Sequence, residues 1–281
     1  MPELPEVETV RAGLETYLLG HQFEKVITNR DNLRFPFPLN FTTRLERKSV
    51  LEIKRRAKYL LIRLSDQLTL ISHLGMTGSF HFVPKDEYVP KSHDHVLFYL
   101  SNGSVLVYND PRRFGIMDLV LTRAENEHRL LSHLGPEPLS AEWNANELSD
   151  AIALKRSPIK TALLDQRVVV GVGNIYACEA LHIAKISPRR AANTLVGKRG
   201  PTKRAKRLVT AIKSVLETAI IAGGSTLKDF QDVDGNAGYF AHQFQVYGRE
   251  GESCLKDQCT DTIQRITQAG RSTYFCPTCQ R

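Results

Sequence analysis

The sequence predicts a multidomain α+β protein: a β-sandwich that begins with a helix, then a helical domain, then a short-stranded tail bearing four cysteines. Three observations carry this expectation. Phe23 to Leu121 alternates apolar and polar positions and is rich in β-branched residues, Ala145 to about Ala222 is dominated by helical spacing, and Cys254, Cys259, Cys276 and Cys279 fall in two close pairs. At 281 residues the chain is also long for a single core.

The first element is an amphipathic helix from Glu6 to Leu19, with Val7, Val10, Leu14 and Leu18 near helical spacing and Gly20 as its stop. Strand patterns follow at Val50–Ile53, Tyr59–Leu64, Leu68–Ile71, Val96–Leu100 and Ser104–Tyr108, and Ser101-Asn102-Gly103 reads as the hairpin turn between the last two. Gly135-Pro136-Glu137-Pro138 reads as a linker, which gives domains at 1–135, 136–240 and 241–281. The helical stretch is broken at Gly171-Val172-Gly173, at Ser187-Pro188 and from Gly197 to Pro201. Thr218 to Tyr239 is rich in turn residues, among them Gly223, Gly224, Ser225, Gly235 and Gly238, and is expected to form a mobile lid.

Charge narrows the partner. The formal net charge is +8, but Lys155 to Lys213 holds fourteen Lys/Arg against only Asp165 and Glu179, a local excess that suits a polyanion. No run of about 18 apolar residues exists and no signal peptide precedes the first motif, so a cytoplasmic protein is expected.

The cysteines form a C-x4-C…C-x2-C pattern, within the spacing of structural zinc. A forty-residue tail cannot bury enough apolar area to order itself, whereas four thiolates on one tetrahedral ion supply the folding energy and leave no open position for chemistry. Disulfides are disfavoured in a reducing compartment. One structural Zn2+ is therefore expected, and Cys178, in a helical stretch, reads as a small buried hydrophobe.

The start, Met1-Pro2-Glu3-Leu4-Pro5-Glu6, reads two ways. Pro and Glu suit the first turn of a helix. Removal of Met1 would also expose a secondary amine with a pKa of roughly 8, a far better nucleophile at neutral pH than a lysine at about 10.4. Attack on a sugar carbon at aldehyde oxidation level would give an iminium with no N–H to lose, a fixed electron sink.

Five motifs together resemble the formamidopyrimidine-DNA glycosylase family: Pro-Glu-Leu-Pro-Glu-Val-Glu at 2–8, Arg-Arg-Ala-Lys-Tyr at 55–59, His-Leu-Gly-Met-Thr-Gly at 73–78, Asp-Pro-Arg-Arg-Phe-Gly at 110–115 and Gly-Val-Gly-Asn-Ile-Tyr at 171–176. Gly270-Arg271-Ser272-Thr273 before Cys276-Pro277-Thr278-Cys279 resembles the family's zinc finger. One departure stands out: four residues separate Cys254 from Cys259 where the family usually has two.

The resemblance implies a bacterial, monomeric, bifunctional glycosylase and abasic-site lyase of base-excision repair, with a helix-two-turns-helix domain and a zinc-finger hairpin, acting on double-stranded DNA that carries oxidised purines or abasic sites. It implies Pro2 as nucleophile, Glu3 as proton donor, Lys58 and Arg271 at the β- and δ-eliminations, and Glu6 in support. The target nucleotide must be flipped out of the duplex. Met76, Arg112 and Phe114 are implied to fill the gap, apolar wedges being common at such steps, and His73, His93, Lys155 and Asn174 to contact DNA, with Lys160 a weaker candidate. Two alternatives remain: an oxidised-pyrimidine enzyme of the same fold, against which Leu4 speaks because that enzyme usually has Gly there, and a non-catalytic zinc-finger DNA binder.

Overall fold

Helix α1 spans Leu4–Leu18, two residues earlier than the apolar spacing predicts, because Glu3 serves as N-cap and Pro5 sits in the first turn. It buries Val7, Val10, Leu14 and Leu18. In the computed structural model, residues 2–225, 232–236 and 238–281 are described. They divide into two compact units, Met1–His133 with Ala222–Tyr239 and Leu134–Ile221 with Phe240–Arg281.

The first unit continues through β1 (Phe23–Thr28), α2 (Phe41–Leu45), β2 (Val50–Arg56), β3 (Tyr59–Leu64), β4 (Leu68–His73), β5 (Ser79–Pro84), β6 (Asp94–Leu100), β7 (Ser104–Asn109) and β8 (Ile116–Leu121). The strands build two antiparallel sheets, ordered β1-β6-β7-β5 and β2-β3-β4-β8. Their inner faces share one core, with Phe23, Phe80, Phe98 and Tyr108 from the first sheet and Leu60, Ile62, Leu70 and Met117 from the second. This is the expected sandwich. Gly103, at φ +82, turns the chain between β6 and β7 as its sequence predicts.

The second unit is helical, then a hairpin. Helix α3 (Ala145–Ile152) is capped by Asn144, whose side chain accepts the backbone N–H groups of Asn146 and Glu147. Then come α4 (Ile159–Leu163), α5 (Asn174–Ile183), a small hairpin of β9 (Val196–Gly197) and β10 (Gly200–Pro201), and α6 (Lys203–Ile221). The tail contributes β11 (Gln264–Gln268) and β12 (Arg271–Phe275), paired antiparallel around Ala269-Gly270. Both turn residues have positive φ, 47 and 72, the requirement of a two-residue hairpin turn. Cys178 is buried on α5 among Val246, Cys254, Ile263 and Cys276. Among the described residues, no helix is long and apolar enough to cross a membrane.

Of the segment expected to be a lid, Thr218–Ile221 is the last turn of α6, while 226–231 and 237 lie outside the described residues.

Candidate nucleic-acid interface and zinc centre

In the first unit two carboxylates organise the groups that face chemistry. Glu6 Oε2 accepts the backbone N–H of Glu3 at 2.8 Å, and Glu6 Oε1 accepts the N–H and hydroxyl of Ser225 at 2.8 and 3.0 Å. Pro2, Glu3 and Glu6 are all buried. Gly224, at φ +82, allows this approach: a Cβ there would stand 3.0 Å from Glu6 Cγ. Both Glu6 oxygens thus accept hydrogen bonds, Oε2 from the start of the chain and Oε1 from Ser225.

Lys58 follows Ala57, which takes a left-handed φ of 55 in the β2–β3 turn. Arg55 donates to Ala57 O at 2.9 Å and to Glu8 Oε2 at 2.8 Å, so an ion pair joins α1 to the turn that carries Lys58. His73, at the end of β4, packs its ring 4.8 Å from Tyr59. Burial, reinforced by the cations of Lys58 and Arg34, pushes its pKa down to about 4. Its Nδ1 accepts the N–H of Gly75 at 2.9 Å, so the neutral ring carries its proton on Nε2 as a donor. His73 can therefore offer a phosphate a hydrogen bond but no charge.

The second carboxylate is Asp110, which is fully buried. Its Oδ1 accepts the Thr77 hydroxyl at 2.6 Å and its Oδ2 accepts the N–H of Gly115 at 2.8 Å, while Thr77 Oγ1 in turn accepts the N–H of Arg112 at 3.2 Å. A Cβ on Gly75 would lie 2.4 Å from the backbone carbon of Phe114, so the Met76 loop and the Arg112–Phe114 loop meet backbone to backbone. The result displays Met76 at 36% exposure and Phe114 at 41%, with the Arg112 guanidinium 4.8 Å from the Phe114 ring centre. His93 is exposed at φ 75, and its carbonyl accepts the N–H of Asp110. Asp110 and Thr77 stand inside two of the quoted motifs, but neither was singled out from the sequence.

In the second unit a cation takes the organising role. Lys160, a weaker candidate for a DNA contact, is fully buried and donates to Asn174 Oδ1 at 2.6 Å, Thr273 Oγ1 at 2.7 Å and Ser272 O at 3.1 Å. That corrects the expectation: three ammonium hydrogens meet three protein acceptors, and none is left for a phosphate. Asn174 opens α5 after Gly173, and its amide also donates to Ser272 O at 2.9 Å. Arg271, next to this anchor, is exposed and has no side-chain partner among the described residues. Lys155 pairs with Asp165 at 3.0 Å, as does Arg167 at 3.1 Å. Lys198, Arg199, Lys203, Arg204, Lys206 and Arg207 are exposed without an ion pair among the described residues.

The four cysteine sulfurs lie within 4.8 Å of one another, with Cys254 and Cys279 at 3.9 Å and Cys259 and Cys276 at 3.6 Å. Zinc–thiolate bonds of about 2.3 Å place tetrahedral sulfurs about 3.8 Å apart, so the donor set and spacing fit one structural zinc. The longer first knuckle leaves that arrangement intact.

The formamidopyrimidine-DNA glycosylase N-terminal domain matches residues 1–117, the H2TH domain of the same enzyme matches 134–231, and the zinc finger found in FPG and IleRS matches 251–281. The chain belongs to the formamidopyrimidine-DNA glycosylase family. A curated formamidopyrimidine-DNA glycosylase of Beijerinckia indica subsp. indica is 52% identical over the whole of both chains. The crystal structure of the MutM (Fpg) protein of Thermus thermophilus is 41% identical, with a TM-score of 0.86 and coverage of 99% of this chain and 98% of that one. The Lactococcus lactis Fpg in complex with abasic-site DNA is 33% identical with a TM-score of 0.89, each chain covered at 99%, and that protein has also been solved with DNA containing an oxidised pyrimidine. The chain is thus a DNA-repair glycosylase of the Fpg type with lyase activity at abasic sites, a DNA partner and a zinc finger.

Proposed function

We propose that this enzyme excises oxidised purines, 8-oxoguanine and formamidopyrimidines, through the amine of Pro2 and then cleaves the strand by β,δ-elimination. The amine forms a bond to C1′ as the bond from C1′ to the base breaks, and the base departs with the bonding pair and gains a proton. Glu3 protonates the ring oxygen, which opens the sugar to an iminium. A C2′ proton is then lost, its electrons flow toward the iminium, and the 3′ phosphate leaves; the 5′ phosphate follows in the second elimination. Lys58 and Arg271 stabilise the departing phosphates by charge, and His73 adds a neutral donor. Met76, Arg112 and Phe114 hold the gap left by the flipped nucleotide, with His93, Lys155 and Asn174 along the DNA. Zinc supports the fold of the hairpin that carries Arg271 and takes no part in bond making.

The observation that carries this reading is the Glu6 clamp, which fixes the buried Pro2–Glu3 start of the chain through hydrogen bonds to Glu3 and Ser225. Removal of Met1 is required, because an amide nitrogen at Pro2 has no free lone pair. We place the enzyme in the bacterial cytoplasm as a monomer. Borohydride reduction in the presence of abasic DNA should give a covalent adduct, and intact-mass analysis should show a protein lacking Met1 plus the sugar-phosphate fragment. Absence of any adduct would sink the proposal.

A second substrate reading has one observation behind it, the Lactococcus lactis relative's complex with oxidised-pyrimidine DNA. Release rates from duplexes carrying 8-oxoguanine and thymine glycol separate the two, and faster release of the pyrimidine overturns the purine assignment.

A further inference from the structure

The zinc knuckle of this chain is two residues longer than the family's usual one, and the extra length has a destination. Cys254-Leu255-Lys256-Asp257-Gln258-Cys259 folds back through a turn in which Cys259 N–H meets Lys256 O at 3.1 Å and Gln258 takes a left-handed φ of 62. The turn points Lys256 at α5: its Nζ donates to His182 O at 3.1 Å. His182 stands in the last turn of α5, where its carbonyl also accepts the N–H of Lys185 at 3.0 Å and the negative end of the helix dipole favours a cation. The same ammonium lies within electrostatic reach of Cys279, Cys254 and Cys276.

The His182 side chain makes the second contact. Its ring is buried, with Nε2 3.8 Å from Cys254 Sγ and Nδ1 without a hydrogen-bond partner among the described residues. With sulfur as the polar neighbour of Nε2, the tautomer protonated there directs its N–H at the thiolate. Four thiolates around one divalent ion carry a net charge of −2, and a partly buried site of that charge gains from donors and cations in its surroundings.

We propose that Lys256 and His182 are an outer shell of the zinc centre, the longer knuckle serving to bring a cation and helix α5 to the thiolates so that metal retention depends on both. Both are positioning residues, since the ion keeps its four sulfur ligands. The inference rests on the zinc site and the local hydrogen bonds and is independent of the proposed Pro2 chemistry.

Zinc release from the intact protein, followed by the colour of a chelating dye, tests it directly. Lys256→Met, which keeps the aliphatic stem, should weaken zinc retention about 10- to 100-fold, the range seen when outer partners of metal ligands are removed. Lys256→Arg should restore most of it. Should Lys256→Met release zinc at the wild-type rate, or Lys256→Arg prove no better than Met, the charge-bearing arm is wrong. His182→Gln, which can keep an N–H toward sulfur, should hold zinc better than His182→Leu; equal retention by these two overturns the histidine's part. Thermal melts of the zinc-loaded variants identify a variant that has merely failed to fold.

Discussion

The two units hold their presented loops with buried charges of opposite sign, although the second also uses a buried carboxylate, Glu179, to gather the N–H groups of Gln245, Val246 and Tyr247. Each must present reactive or gripping groups while holding their backbone still. In the first unit buried carboxylates do the holding, with Glu6 on the chain start and Ser225 and Asp110 on the Met76 and Arg112–Phe114 loops. In the second unit the buried ammonium of Lys160 gathers Asn174, Ser272 and Thr273 beneath exposed Arg271. A polyanion explains why both are needed. Groups that meet phosphate are cations or donors, so a buried anion beneath them adds attraction, whereas a buried cation must have all its hydrogens met within the protein.

The largest effect should follow from emptying the cationic hub. Lys160→Met leaves Asn174 Oδ1 and Thr273 Oγ1 without their ammonium donor, while Ser272 O keeps the Asn174 amide, and should cost about 3 kcal/mol or more in denaturant unfolding, with loss of strand cleavage. A cost below about 1 kcal/mol would mean that the hub is dispensable and the contrast false.

Asp110→Asn should cost less, about 2 kcal/mol, because the amide keeps one acceptor but turns its NH2 group toward the N–H of Gly115 or the hydroxyl of Thr77. Urea denaturation measures it, and weaker binding of lesion-containing duplex with near-normal affinity for undamaged duplex would locate the damage in the Met76 and Arg112–Phe114 loops.

His73 sharpens the comparison by pH. Its folded pKa of about 4 lies below the ordinary value, so between about pH 6.5 and 4 the unfolded chain binds the extra proton and stability falls as pH falls. Burial lowers the His182 pKa to about 4 as well, so His73→Gln should reduce the slope across that window without abolishing it and leave stability near wild type above about pH 7. An unchanged slope would remove His73 as one of its sources.

The smallest change in stability is expected at Arg271. Exposed and unpartnered among the described residues, it should alter stability by no more than about 0.5 kcal/mol when replaced by Ala, while single-turnover strand cleavage falls sharply. Set beside Lys160→Met, this separates the group that works from the group that positions.

Sequence pattern revealed the sandwich through β2, β3, β4, β6 and β7, whereas β1, β5 and β8 were not individually marked. All three are edge strands of their sheets, although the edge strand β2 was marked, so edge position alone does not separate them. The cysteine cluster was legible because its two pairs are local in sequence. Lys160 was not, since a lysine inside a basic stripe looks like its neighbours until the fold buries it. Ser225 was equally hidden, its bond to Glu6 spanning 219 positions of chain. The helical stretch was read with three breaks, of which Gly197 to Pro201 coincides with the β9–β10 hairpin, while the five-residue α4 was not marked.

Helix α5 carries one further consequence, a matter of length. Asn174 at its start binds the carbonyl of Ser272, and His182 near its end stands beside the cysteine cluster that includes Cys276. Eight helical steps rise about 12 Å, and the four strand steps from Ser272 to Cys276 rise about 13 Å. The two segments are matched in length, joined directly at Asn174 and Ser272 and at the far end through Cys254 of the cysteine cluster. Losing or gaining one residue in β12 would shift one segment by about 3 Å, so the hairpin could satisfy Lys160 or the metal site but not both, and the position of Arg271 along the hairpin is fixed by measurement as much as by pairing.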